Sequence, residues 1–546
     1  MADSRFSPLQ HLRDLSPLQV IACSILLITI ALLSNFLATT IKFHNATKSA
    51  ASPSSVGSAP QPPPYLPYTI PWLGSTLSFL DKTPGRFFSE LRTRLGHQDA
   101  CTILLGGMPT YVLAGGAEAL FKASKITDRK RFDEIVMRQG FGTGKEDFEK
   151  FTRTAHGLVE GGKGKLSVQD SLYHEFLLAP QQVNVLTGKF VETFRAELGK
   201  IDGSKNDLVR TVRDAMFTAS TTAFMGSKVL ELCPNWGEDF WTFDADMLKL
   251  FYGLPRFMSK DVHASLERLL DAGEKWHTEA RKNFDAEAAK DLDWEPWYGC
   301  RFLRARQDMY AAAGLSARGS ASPDIGFLFG LSSNAIPATT WALCHILTSN
   351  DETLLPELME ELISTQREGG SLDINKLVQL PLLSSIYSET LRLYVDVLVT
   401  RTVNTSFTLP SQYPGHAGHL LQKGNIAMAP SYLSHHDPTF WTKYNPSSAV
   451  DDAPSPDTWY ARRFLHGGKF STVGTTNKLF PYGGGNHMCP GRTFAKQEIL
   501  AAIAIVLLTF NLRVEDGEIL PGVRKAYSGT GVVGMDKGLR VRMTRK

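Results

Sequence analysis

The sequence predicts a mainly α-helical protein with small β-sheets, built as a single large domain behind an N-terminal membrane-spanning helix. Three observations carry that expectation: an uncharged apolar stretch near the N-terminus, long segments with apolar residues at three- and four-residue intervals, and only short β-like runs. With 43% hydrophobic and 21% charged residues, the 546-residue chain has globular rather than disordered composition. A net charge of +3 is too balanced over this length for a protein that binds nucleic acid through one basic face. Six cysteines are too few for a disulfide-built secreted scaffold, so the question is whether any one of them carries chemistry.

Residues 1–16 form a short flank. No charged residue occurs from Leu15 to Ile41, and at about 1.5 Å per residue this stretch is long enough to cross a hydrocarbon core of about 30 Å. The span is placed at 17–41. A cleaved signal peptide is the other reading, but its apolar region is usually about 7–15 residues and ends at a small-x-small site, which is not evident here. Arg5 and Arg13 on one side are matched by Lys42 and Lys48 on the other, so charge does not set the orientation. Residues 42–64 are rich in Ala, Ser and Pro and predict a stalk, stiffened by Ala59-Pro60-Gln61-Pro62-Pro63-Pro64 into an extended spacer. The domain proper is expected from 65 to 546. Within it, Leu382–Leu393 and Thr493–Leu508 have helical periodicity, and Leu398–Thr408 and the C-terminus read as strands. Asp324–Thr348 is apolar enough to suggest a membrane helix, but Asn334, Pro337 and His345 argue for a buried core helix kinked near Pro337.

The most specific segment is Phe480-Pro481-Tyr482-Gly483-Gly484-Gly485-Asn486-His487-Met488-Cys489-Pro490-Gly491-Arg492. Its glycines let the backbone approach another group closely and leave Cys489 in a side-chain-poor loop. A helix starting near Thr493 would aim N–H groups and its positive dipole end at that sulfur, favouring the thiolate and suiting it to metal ligation.

These residues resemble the haem-binding loop of the cytochrome P-450 superfamily, with Tyr482, Gly485, Cys489 and Gly491 at the family's aromatic, glycine, cysteine and glycine positions. The resemblance implies haem b, with Cys489 as axial iron ligand. Upstream, Glu389-Thr390-Leu391-Arg392 matches the family's Glu-x-x-Arg helix, whose three-residue spacing lets carboxylate and guanidinium pair on one face. Arg463, in Trp459-Tyr460-Ala461-Arg462-Arg463-Phe464, matches the third member of that ion network, although Ala461 and Arg462 replace the usual Pro-Glu. Ser434–Trp441 resembles the His-x-Asp-Pro stretch leading into the same region. Arg401 matches a position that binds a haem propionate, and His487 replaces the arginine usually found two before the cysteine, a shorter donor for the same carboxylate.

On the oxygen side the family's acid and threonine fall on Ser333 and Asn334. The Asn-x-x-Pro-Ala-Thr pattern resembles the branch containing sterol 7α- and 12α-hydroxylases and prostacyclin synthase. Asn334 can hold water or dioxygen by hydrogen bonds, or it is a bonded core amide at the Pro337 kink. Gly142–Lys145 and Gly161–Lys165 lack the Walker Ser or Thr and read as solvated loops; His435, His436, His487 and Cys489 lack paired zinc spacing.

The resemblance therefore implies a P-450 fold and a monooxygenase, fungal in kind, anchored in the endoplasmic reticulum membrane by one helix with a cytosolic catalytic domain. Electrons would come from NADPH through a separate cytochrome P-450 reductase. The implied substrate is a bulky apolar metabolite such as a terpenoid, steroid-like or polyketide compound of secondary metabolism. A reductase-independent isomerase or dehydratase acting on a peroxide, and a non-catalytic haem sensor or carrier, are the other readings.

Overall fold

A computed structural model describes residues 16–50, 59–96, 98–161, 164–201, 205–413, 418–444, 454–529 and 531–546. Of the expected N-terminal flank only Ser16 falls among them; residues 51–58 of the stalk, and Gly162 and Lys163 of the second glycine-lysine loop, lie outside. The chain divides into two units. One comprises residues up to Asp81 with Glu90–Asp128 and Arg401–Ala429; the other comprises Lys82–Ser89, Arg129–Thr400 and Pro430–Lys546.

The first unit begins with helix α1, Pro17–Ala50. Its apolar side chains, Leu18, Leu27 and Leu33 among them, are exposed rather than packed into protein, and it is long and apolar enough to cross a membrane. The helix runs past the expected end at residue 41. Nothing from Lys42 to Ala50 breaks a helix, so the first nine residues assigned to the stalk are helical instead. Near this end Phe43 is buried, and Asn35 Nδ2 donates to Thr69 O at 2.8 Å. The proline stretch is extended but does not stand free. Thr102 donates its hydroxyl to Pro63 O and its N–H to Pro64 O, and accepts from Leu66 N–H. Proline lacks a donor but keeps its carbonyl, so it can still lie along a strand edge. That strand, Ala100–Leu105, opens a five-stranded sheet ordered Ala100–Leu105, Met108–Leu113, Ile426–Pro430, Leu398–Val403 and Thr127–Asp128.

The second unit is helical. Those that position the site are α2 (Trp236–Phe251), α3 (Ala317–Ser332), α4 (Ala335–Leu347), α5 (Pro381–Tyr394) and α6 (Arg492–Thr509). Proline at the first position of α5 is pre-set for a helix start. α6 is buried from Gln497 to Leu507, which explains its apolar run from Ile499 to Leu507. The apolar stretch 324–348 is a core element in two pieces: α3 ends at Ser332 and α4 starts at Ala335. Pro337 cannot donate to the carbonyl of Ser333 and its ring crowds that carbonyl, so the break falls one turn upstream of the proline. After α6 the chain forms Phe510–Val514, paired antiparallel with Arg540–Arg545, which in turn pairs with Lys205–Asp207.

Candidate functional site

One turn apart on α5, Glu389 and Arg392 pair in a two-pronged contact, Nε to Oε2 at 2.7 Å and Nη2 to Oε1 at 2.9 Å. Arg463 Nε donates to Glu389 Oε1 at 2.9 Å, and Tyr460 N–H donates to the same oxygen at 3.0 Å. All three charged side chains are completely buried. Burial pushes the Glu389 carboxyl up, but the two guanidiniums outweigh it and hold the group below its ordinary value. The remaining guanidinium donors go to backbone: Arg392 Nη1 to His435 O at 2.8 Å, and Arg463 Nη2 to Ser455 O and Thr458 O. Arg462, next in sequence, instead reaches outward to Asp351 and Glu357.

His435 extends this network to the cysteine loop, a link its residue type alone does not disclose. Its Nε2 accepts from Phe480 N–H at 3.0 Å, where the loop begins. Burial and the neighbouring His436 and Arg392 push its imidazole well below the ordinary value, so the ring is neutral and Nε2 is available as an acceptor.

In the loop, Gly483 and Gly485 adopt φ of 70° and 67°, values that favour glycine. Cys489 N–H donates to Tyr482 O at 3.0 Å, and the Tyr482 hydroxyl pairs with that of Tyr387 on α5 at 2.6 Å. The loop ends at the N-terminus of α6, where the N–H groups of Gly491 and Arg492 point at the Cys489 sulfur. Burial raises this thiol above its ordinary value, and those two donors and the Arg492 charge offset that only in part, so the helix N-terminus does not by itself lower the group as the sequence led us to expect. In the apolar interior nothing comparable opposes burial at Cys101, whose thiol is pushed up to about 12. A Cβ on Gly491 would lie 3.8 Å from the sulfur, in ordinary contact, so glycine there keeps the sulfur uncovered rather than relieving strain. His487 is exposed at the end of the short turn Gly485–His487. Arg401 is buried in the Leu398–Val403 strand of the first unit.

Between Ile325 and Ile346, Gly326, Phe327, Phe329, Gly330, Asn334 and Pro337 keep accessibility while the other residues are buried. Gly330 is fully exposed, with nothing within 4 Å of where a Cβ would be. Asn334 has its Oδ1 committed, accepting from Val532 N–H at 2.9 Å. Gly531, at φ 91°, passes so close that a Cβ would lie 2.0 Å from that oxygen. The amide is thus bonded at the helix break, which leaves Nδ2 as its donor.

A free thiol with two backbone N–H donors, uncovered by side chains at 485 and 491, and the open Gly330 on α3 together fit a flat macrocycle ligated by thiolate. Comparison with known proteins agrees. Residues 325–533 match the family model Cytochrome P450. The chain is 27% identical over 532 residues to Cytochrome P450 monooxygenase calL of Penicillium decumbens, covering 90% of this chain and 95% of that one. It is 23% identical to Cytochrome P450 7A1 of Oryctolagus cuniculus, covering 86% and 91%. Its fold is similar to that of retinoic acid bound cyanobacterial CYP120A1, with a TM-score of 0.62 at 18% identity, covering 90% of this chain and all of that one. The chain belongs to the cytochrome P450 family. Within that family it is a monooxygenase, which implies a haem-thiolate cofactor, a redox partner and a small-molecule substrate.

Proposed function

We propose that this monooxygenase inserts one oxygen atom into a bulky apolar metabolite of secondary metabolism, with Cys489 as axial ligand of haem b. The observation that carries the reading is the Cys489 sulfur at the N-terminus of α6, facing the N–H groups of Gly491 and Arg492. Those donors stabilise a thiolate without covering it. When bound, haem supplies dioxygen activation, and a thiolate ligand favours O–O cleavage. Tyr482 and Gly485 shape the loop, and Glu389, Arg392 and Arg463 hold its foundation through His435 and Phe480. Arg401 and His487 are the proposed propionate donors. The amide nitrogen of Asn334, left free by the bond of its oxygen to Val532 N–H, would orient a water or dioxygen for the oxygen chemistry that haem would supply. The exposed apolar surface of α1 supports a single-pass anchor in the endoplasmic reticulum membrane, ahead of a catalytic domain proposed for residues 65–546 on the cytosolic side. An NADPH-dependent reductase is the proposed electron source.

Two measurements test this. Cys489→Ser should abolish the red-shifted Soret band of the reduced carbon-monoxide complex, and its persistence would remove the ligand assignment. Metabolite profiling with and without the enzyme should show a product heavier by one oxygen that requires both NADPH and reductase; turnover of a peroxide without either would replace the monooxygenase reading with an isomerase.

A further inference from the structure

In the helical unit a run of stacked rings takes no part in the ion network or the cysteine loop. Trp341 of α4 lies face to face with Tyr394 at the end of α5, ring centres 3.8 Å apart and 7° from parallel. One turn on from Trp341, His345 places its Nε2 2.6 Å from the Tyr394 hydroxyl, and its ring stacks on Trp459 at 4.5 Å, 6° from parallel. Trp341, His345 and Tyr394 are buried, whereas Trp459 is partly exposed. The indoles are tied down as well: Trp341 Nε1 donates to Val533 O at 2.7 Å, and Trp459 Nε1 to Thr390 Oγ1 at 3.1 Å. The run abuts the residue assigned to the oxygen chemistry, because Val532, next to the acceptor of Trp341, donates its N–H to Asn334.

Stacking alone would be served by phenylalanine at 394, without a hydroxyl to bury. Burial pushes the Tyr394 phenol up, so it keeps its proton, and lowers His345 to about 4, so the imidazole is neutral. Tyr394 therefore donates to Nε2; the reverse tautomer would leave the buried phenol O–H without an acceptor. Oxidation acidifies a phenol, and here a neutral base is already in contact with its proton. We propose that Tyr394 is a redox-active tyrosine, giving one electron through Trp341 to the haem group and its proton to His345. This rests on the haem-thiolate reading and goes beyond it. In the step the Tyr394 O–H bond breaks and a neutral phenoxyl radical remains. The electron, relayed by Trp341, reduces by one the haem group oxidised in dioxygen activation or by a hydroperoxide, and the proton forms an N–H bond at His345 Nε2. An oxidising equivalent held at Tyr394 is kept from the Cys489 sulfur in cycles where no substrate takes up the oxygen.

In the test, the haem-loaded full chain without substrate is mixed with cumene hydroperoxide, frozen within milliseconds and examined by electron paramagnetic resonance. The expected result is an organic radical signal that narrows when ring-deuterated tyrosine is incorporated. It should be lost in Tyr394→Phe, which keeps the ring and its stack, and mostly lost in His345→Leu, where Tyr394 has no proton acceptor. A signal insensitive to tyrosine deuteration, unchanged in Tyr394→Phe or at full strength in His345→Leu overturns the proposal. So does the absence of a tyrosyl signal in a chain whose reduced carbon-monoxide complex shows the red-shifted Soret band. Absence of that band overturns the haem-thiolate reading itself, and the electron donor with it.

Discussion

Two polar regions of the helical unit differ in how their charged side chains are partnered. Around Glu389 each carboxylate oxygen and both guanidiniums are engaged by one another or by backbone. Around Asn334, Asp396 Oδ1, Ser333 Oγ and Arg524 Nε are buried without partners. The contrast separates two uses of polarity inside protein. A closed network secures the chain whatever is bound, whereas an open one leaves buried polar atoms unmatched at a cost in stability.

The largest effect should come from opening the closed network. Arg392→Leu leaves Glu389 facing one guanidinium and frees the carbonyl of His435; a loss of about 3–5 kcal/mol is expected, read as a lower denaturation midpoint and failure to retain haem. Normal haem retention would show that the network is dispensable. Next, His435→Leu removes the acceptor of Phe480 N–H and should cost about 1–3 kcal/mol, with faster haem loss to an apoprotein acceptor than in the wild type.

The two regions should also titrate in opposite senses. Glu389, with its folded value lowered, contributes stability that is present above the ordinary carboxyl value and lost as pH falls through the folded one. Asp396, raised from 3.8 to about 6, opposes folding at neutral pH, and that penalty fades as pH falls from about 6 toward 3.8. Asp396→Asn should therefore be more stable than wild type by about 1–3 kcal/mol near pH 8, with the gap closing toward pH 4. A gap independent of pH would show that Asp396 does not titrate abnormally. The smallest stability effect is expected for Asn334→Ala, about 1 kcal/mol from the lost bond to Val532 N–H. Haem content should hold while less product forms per NADPH consumed; unchanged coupling would leave Asn334 only its structural bond.

Legibility in the sequence followed the range of the interaction. Glu389 and Arg392 pair within one helical turn, so their spacing announces them, and the Cys489 loop carries its glycines and its following helix in one continuous segment. The same locality made α1 legible as a long apolar helix. Its end was not, because the residues after Ile41 are compatible with helix and nothing local marks where solvent-facing stalk would begin. The proline stretch was read as a free spacer because an edge strand that accepts it lies some forty residues away, at Thr102.

By itself, then, the sequence determined the helical class, the long apolar N-terminal helix and the glycine-rich loop around Cys489, since each depends on residues within a few turns of one another. Only the tertiary structure decided that His435 joins the ion network to Phe480, that Asn334 spends its oxygen on Val532, and that Asp396 pairs across a strand with Gly531. Those contacts join residues up to about two hundred positions apart, and whether a buried polar atom is partnered or left open depends on what the fold brings against it, which no local pattern records.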